Sequence, residues 1–347
     1  MMASAAIYGL SGERLTADER AFFRDADPWG FILFARNIDR PKQVRGLTDE
    51  LRDCVGRDAP ILIDQEGGRV QRLKPPVWRA APAAARFGEL WDREPELALE
   101  AVTLNHRMMA YELAELGVDV DCAPCCDLAV DGADAVIGDR AFHTEPDPIR
   151  AMAQAALDGM AAQGVAGVIK HIPGHGRADA DSHLALPVVP DDEEVLTETD
   201  FAAFKGLKAP MAMTAHVVYP AIDPESCATL SSEVIARVIR GHIGFDGLLM
   251  SDDLSMKALT GRLRDRGFKA FKAGCDMLLH CNGERAEMVE VAHAAPRLDG
   301  PAGERAGKAA AARGPRADLE MDTAVAQLDA LFREGGLEPV SKAAFTP

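Results

Sequence analysis

Eight short apolar runs, separated by stretches with helical features, constrain this chain more than anything else in it. They are SAAIYGL (4–10), FILFARN (31–37), PILIDQE (60–66), VDVDCAP (118–124), GVIKHIP (167–173), MAMTAHV (211–217), GLLMSDD (247–253) and CDMLLHCN (275–282). Near-continuous apolar runs of this length read as strands buried on both faces, and amphipathic helices between them imply a parallel sheet. Helix start signals fall in the spacers, at Thr16-Ala-Asp-Glu, at Asp39 followed by Pro41, and at Ser231-Ser-Glu. Eight β/α units are the number at which a parallel sheet closes, so the expected fold class is α/β, a single (β/α)8 TIM-type barrel with room for irregularity. An open doubly wound sheet is the alternative, but it gathers its chemistry at one switch point. Here Arg36, Asp64, Lys170, His216 and Asp252 stand at the ends of different runs, where a barrel keeps its active site.

The spacer from Gly67 to Gly117 is long for one crossover. It holds PPVWRAAPAA, expected as a loop over the barrel mouth, and then a helical stretch, PELALEAVTLNHRMMAYELAEL. After the eighth run, GPAGERAGKAAAARGPR has no apolar period and reads as a flexible connection. Beyond it, Val325, Leu328, Leu331 and Phe332 share one helical face, which predicts a terminal helix docked on the outside of the barrel. The expected organisation is therefore a catalytic barrel over 1–299, a flexible connection over 300–317, and a C-terminal helix and tail over 318–347.

A formal net charge of −17 sets the overall field against nucleic acids and anionic membrane surfaces. No segment holds the roughly 18 consecutive apolar residues of a membrane helix, and the first residues lack the basic start of a targeting signal. A cytoplasmic address follows as an expectation, with neither nucleic acid nor membrane as partner. Seven cysteines are an odd number without a framework spacing, and they read as reduced, mostly buried thiols. Cys122, Cys125 and Cys126 contain one C-x-x-C, but no second pair follows at zinc spacing.

Ionisable groups gather in four places. Lys170-His171-Ile172-Pro173-Gly174-His175-Gly176 is followed shortly by Asp181-Ser182-His183. Pro173 and Gly174 stop any helix between His171 and His175, so this is a strand end entering a loop and not a helical zinc motif. Ser251-Asp252-Asp253 ends the seventh run, and alternation along a strand requires the two carboxylates to point apart and do different work. Asp64-Gln65-Glu66-Gly67-Gly68-Arg69-Val70-Gln71-Arg72 turns sharply at its glycines, and Ile137-Gly138-Asp139-Arg140 forms the fourth group. On the residues alone, Asp181 and His183 read equally well as a solvated loop tip, Arg72 and Arg140 as surface ion-pair partners, and His175 as a turn residue. Asp252 itself could cap a following helix.

At these residues the chain resembles the family 3 glycoside hydrolases, and among them the single-domain bacterial β-N-acetylglucosaminidases of cell-wall recycling. The resemblance runs from Gly30 to about Gly283 and rests on DQEGGRV, GDRAF, KHIPGHG, DSH, MTAHVVYP and SDDLSM in the family's order. It departs mildly at Ala141, where serine is usual, and at His143, where glycine is common. The resemblance implies Asp252 as nucleophile, His183 paired with Asp181 as acid/base, and Asp64, Arg72, Arg140, Lys170 and His171 as sugar-holding residues. It implies a retaining exo-β-N-acetylglucosaminidase that takes terminal β-linked GlcNAc from soluble peptidoglycan fragments such as GlcNAc-anhydroMurNAc peptides, without metal or other cofactor and as a monomer. An imidazole suits acid/base work because its ordinary pKa lies near neutrality.

Three other readings compete. His171, His175, His183 and Asp252 could be the ligands of a metal-dependent barrel hydrolase, although three of the four come from one segment. A sugar-binding barrel without turnover would use Asp64 and Arg72. A phosphorolytic variant of the same glycosidase is also conceivable, since a histidine acid/base repels incoming phosphate less than a carboxylate does.

Overall fold

A computed structural model describes residues 2–341. Eight parallel strands close into a barrel in which every strand pairs with its neighbours in sequence and the first pairs with the last. They are β1 (Ser4–Tyr8), β2 (Pro28–Leu33), β3 (Ile61–Ile63), β4 (Val120–Asp121), β5 (Ala166–Ile172), β6 (Met211–Thr214), β7 (Leu248–Asp253) and β8 (Met277–His280). Each overlaps one of the eight apolar runs, so the (β/α)8 barrel is the fold. The open sheet is excluded by closure.

Alternation along the strands separates two apolar layers. Ile7, Ile32, Leu62, Val120, Val168, Met211, Leu248, Met250 and Met277 fill the barrel's interior. Ala6, Tyr8, Phe31, Leu33, Ile61, Ile63, Ile169, Ala212, Leu249 and Leu278 face the surrounding helices. Both faces are therefore buried, which is why the strands read as continuous apolar runs instead of alternating ones.

The spacers fold for the reasons their sequences suggest. Thr16 caps the helix Ala17–Ala26 in a full capping box, with the Glu19 N–H donating to Thr16 Oγ1 and Glu19 Oε2 accepting the Thr16 N–H. Pro41 and Pro95 open the helices Pro41–Val55 and Pro95–Glu115 at positions where a missing N–H costs nothing. The terminal helix Met321–Glu334 buries Leu328, Leu331 and Phe332, and the Phe332 ring meets Phe87 edge-on at 5.6 Å.

The flexible connection expected over 300–317 is corrected in its first part. Gly300–Ala311 is a helix. It closes the N-terminal end of the barrel, with Ala306 and Ala309 buried against the same interior cluster as Trp29 and Leu298. Its buried face consists of alanines, whose small area gives almost no apolar contrast in sequence. Arg305 fastens it, pairing with Asp246 at 2.8 Å and with Asp276 at 3.2 Å. The part of the expected C-terminal tail beyond residue 341 lies outside the described residues.

Candidate active site

At the opposite end, where the strands finish, a cavity of about 300 Å³ opens. Its walls include all eight residues singled out from sequence: Asp252, His183, Asp181, Asp64, Arg72, Arg140, Lys170 and His171. They come from β5, β7, the loop after β3, the turn Gly138–Arg140 and the loop after β5, so only barrel closure brings them together.

One wall is a chain of alternating charges. Arg72 Nη2 donates to Asp64 Oδ2 at 3.0 Å, and Lys170 Nζ bridges Asp64 Oδ1 at 2.8 Å and Glu66 Oε1 at 2.7 Å. Arg140 then grips Glu66 with two parallel bonds, Nε to Oε2 and Nη2 to Oε1, both 2.8 Å. Two carboxylates among three cations leave the wall with an excess of donors. Burial pushes the Asp64 carboxyl up, but Lys170 and Arg72 outweigh it and hold it well below its ordinary value. Glu66 is likewise raised by burial and then lowered further by Arg140 and Lys170, to about 2. The same partners hold the Lys170 ammonium well above its ordinary value despite burial. Asp64, Glu66 and Lys170 are therefore all charged at neutral pH.

The local backbone explains the arrangement. After β3 the chain makes a two-stranded hairpin, Gln65–Gly67 and Val70–Gln71, through Gly67 and Gly68, both in the left-handed region with φ of 94° and 56°. A Cβ on Gly67 would lie 2.3 Å from the Pro82 carbonyl oxygen, so this turn requires glycine. From the hairpin, Arg69 donates to Asp139 at 2.8 Å and to the Val136 and Ile137 carbonyls, tying it to the turn that carries Arg140.

The floor holds the carboxylate of Asp252, whose Oδ1 accepts the Asp253 N–H at 2.7 Å. Burial raises this carboxyl, but His216, His171, the Asp253 N–H and His183 together bring it below its ordinary value, so it is ionised at neutral pH. Asp253 also borders the cavity, but its carboxylate is committed to the N–H groups of Ser255 and Cys281 and to the Ser255 hydroxyl. No helix begins at Ser255. The next one starts at Leu263, so Asp252 caps nothing. His216 stands behind the floor, fully buried, with Nδ1 on Thr229 Oγ1 and Nε2 on the Asp253 carbonyl. Arg36, by contrast, bonds the carbonyls of Leu10 and Cys281 and does not line the cavity.

His171 Nδ1 donates to Asp127 Oδ2 at 2.7 Å, which leaves Nε2 as the nitrogen available to the cavity. Asp127 is wholly buried and also accepts the backbone N–H of His175 at 2.7 Å. Burial raises its carboxyl, but His171 above all holds it well below the ordinary value. On the remaining side stands the pair Asp181 and His183. Asp181 Oδ1 accepts both His183 Nδ1 and the His183 N–H at 2.8 Å, while two thirds of the imidazole side chain is exposed at the mouth.

Sequence reasoning missed Glu66 and Asp127 as site residues. Glu66 was visible inside the hairpin motif beside Asp64, but its partners Arg140 and Lys170 lie in other elements, so the motif alone did not show the pairing. Asp127 follows the apolar stretch DCAPCC, where a buried carboxylate must have dedicated donors. The metal quartet His171, His175, His183 and Asp252 does not assemble. Among the described residues, the ligand atoms close enough to share an ion are those of Cys125, Asp127 and His171, and Cys125 and His171 both hydrogen-bond Asp127 Oδ2. All seven cysteines are free thiols.

Comparison with known proteins adds a family. The chain matches the Glycosyl hydrolase family 3 N terminal domain over residues 7–302. It is 41% identical over 301 residues to a beta-hexosaminidase of Alkalilimnicola ehrlichii, covering 84% of this chain and 85% of that one. It is 42% identical over 285 residues to a beta-hexosaminidase of Thioalkalivibrio sulfidiphilus, covering 79% of each. The crystal structure of NagZ from Neisseria gonorrhoeae in complex with N-trifluoroacetyl-D-glucosamine superposes with a TM-score of 0.83 at 29% identity, over 99% of both chains.

Proposed function

Because this chain belongs to glycosyl hydrolase family 3, and is a glycoside hydrolase of the beta-hexosaminidase type, we propose that it removes terminal β-linked N-acetylglucosamine with retention, through a covalent glycosyl-aspartate. The observation that carries the reading is the placement of an ionised Asp252 on the floor of one cavity with the His183–Asp181 pair at its mouth.

In the first step a carboxylate oxygen of Asp252 bonds to the anomeric carbon as the glycosidic bond breaks, and His183 Nε2–H gives its proton to the departing oxygen. Asp181 holds Nδ1, which fixes the tautomer and leaves Nε2 for the substrate. In the second step His183 takes a proton from water, the water oxygen bonds to the same carbon, and the Asp252 ester bond breaks. Asp64, Lys170 and Arg72 supply an acceptor and donors to sugar hydroxyls, while Arg140 works through Glu66, to which two of its nitrogens are committed. His171 presents Nε2 beside the nucleophile. No step uses a metal or other cofactor.

The natural substrates in this reading are soluble peptidoglycan fragments such as GlcNAc-anhydroMurNAc peptides, met in the cytoplasm. The net charge of −17 suits small soluble substrates better than polyanionic or membrane partners, and no described helix is long and apolar enough to cross a membrane. A monomer is the working unit in this reading. The test is release of a chromophore from an aryl β-N-acetylglucosaminide beside the matching β-glucoside, with and without phosphate. A strong preference for the first, with free sugar as product in both buffers, is expected. Preference for the glucoside, or a sugar phosphate as product, would overturn the assignment.

A further inference from the structure

The loop that carries His183 lies open to solvent at its tip. His183, Leu184, Ala185 and Leu186 are all exposed, yet Ser182 in their midst is only 3% exposed. Its hydroxyl lies 3.1 Å from His175 Nε2, and its carbonyl oxygen accepts the Ala258 N–H at 3.2 Å. These two contacts join the loop to the turn after β5 and to the segment after β7. His175 belongs to the turn after β5 and is itself held by its N–H on Asp127, the carboxylate that orients His171. Ala258 follows Asp252 by six residues on the segment leaving β7.

The internal geometry of the Asp181–His183 pair is set within three residues, because one carboxylate oxygen accepts both the His183 N–H and Nδ1. What that turn cannot set is where the pair stands relative to Asp252. We infer that Ser182, gripped by His175, is the positioning residue that registers the His183 acid/base against the sugar site. The inference rests on the reading of His183 given above. Burial, and His171 beside it, push the His175 imidazole down to about 4, so at neutral pH the ring is uncharged and one nitrogen can accept the Ser182 hydroxyl proton. An anchor of this kind acts on proton delivery and not on affinity, since Ser182 lies between the two residues of the pair and bonds neither Lys170 nor Asp64.

The experiment compares Ser182→Ala, Ser182→Thr, His183→Ala and the double variant Ser182→Ala/His183→Ala on two aryl β-N-acetylglucosaminides, one with a poor and one with a dinitrophenolate leaving group. Loss of one buried hydrogen bond that aims a proton donor is expected to lower kcat/KM on the poor leaving group about tenfold, with kcat/KM on the dinitrophenyl substrate nearly unchanged. Ser182→Thr retains the hydroxyl and should restore the rate. In the His183→Ala background, Ser182→Ala should cost nothing further, because a residue acting through His183 has nothing left to position. An equal loss of kcat/KM on both substrates, a loss that persists without His183, or near-native rates throughout would each overturn the inference. If His183→Ala is itself indifferent to the leaving group, the acid/base reading falls with it, and that result is seen independently of the serine.

Discussion

Asp252 and Asp253 show how much one step along a strand decides. Both are carboxylates at the end of β7, yet Asp253 accepts two backbone N–H groups and anchors the following turn, while Asp252 keeps an oxygen for the cavity. Asp252→Ala should therefore abolish turnover, by roughly 10³-fold or more, without disturbing the fold. A 2-fluoro sugar with a good leaving group should label Asp252 in the native enzyme, read by mass spectrometry of its peptide. Label on Asp64 or Asp253 would refute the role. The assignment of His183 makes a different demand. His183→Ala should lose kcat/KM severely on a poor leaving group and little on dinitrophenolate, and with the latter kcat should fall and an initial burst should appear because hydrolysis of the intermediate now lacks its base. Asp181→Asn should show weaker versions of both effects. Equal losses on both leaving groups would reduce His183 to a binding residue. At this scale the side chains that line the cavity were legible in sequence because their motifs are dense in ionisable groups at strand ends. Asp127 was not, because its donors His171 and the His175 N–H lie more than forty positions away and only the barrel brings them near.

The ion chain Arg72–Asp64–Lys170–Glu66–Arg140 joins β5 to the hairpin after β3 and to the turn Gly138–Arg140, so it is as much a fastening between elements as a wall of the cavity. Lys170 is its centre, with a side chain only 3% exposed. Lys170→Met removes the cation two buried carboxylates share, and should destabilise the fold by about 3–5 kcal/mol at neutral pH. The sign with pH is fixed. In the native protein the Asp64 and Glu66 values are depressed, so their stabilisation is present above the ordinary carboxylate range and is lost as pH falls through the depressed values, near 2 for Glu66. In the variant the same groups are buried without Lys170, and protonation relieves them. The gap in unfolding free energy between native and variant should thus shrink from pH 7.5 to pH 4, measured by urea denaturation. A gap that is constant or widens would show that Lys170 is not what depresses these carboxyls. The hairpin was foreseeable from Gly67 and Gly68, whereas the partners of Glu66 were not, since Arg140 and Lys170 belong to elements placed beside it by closure alone.

Across the whole molecule, stability and chemistry occupy opposite ends of the barrel. The cavity lies at the C-terminal ends of the strands, and the helix Gly300–Ala311 seals the other end with alanines pressed on the interior layer. This division was only half legible. The eight apolar runs announced the barrel, but a plug made of Ala306 and Ala309 carries too little side-chain area to stand out from a linker, and its specificity resides in Arg305, whose partners Asp246 and Asp276 flank β7 and β8. Asp276 also holds Arg240 at 2.8 Å and accepts the Leu249 N–H, so this carboxylate joins three elements beneath the barrel. If the helix is structural, Arg305→Ala should lower stability by roughly 1–3 kcal/mol, the range for a partly buried charged hydrogen bond whose partner keeps a second cation. Since the barrel interior is densely packed along its length, a loosened plug could in principle shift the floor beneath Asp252. The layers of Met277, Met250 and Met213 between the two ends argue against that, because flexible thioether side chains absorb small displacements instead of transmitting them. Arg305→Ala should accordingly keep kcat/KM within about twofold of native on the aryl N-acetylglucosaminide at 25 °C, while its midpoint in urea falls. A tenfold fall in kcat/KM, with the protein still folded, would show instead that the plug sets the geometry of the mouth.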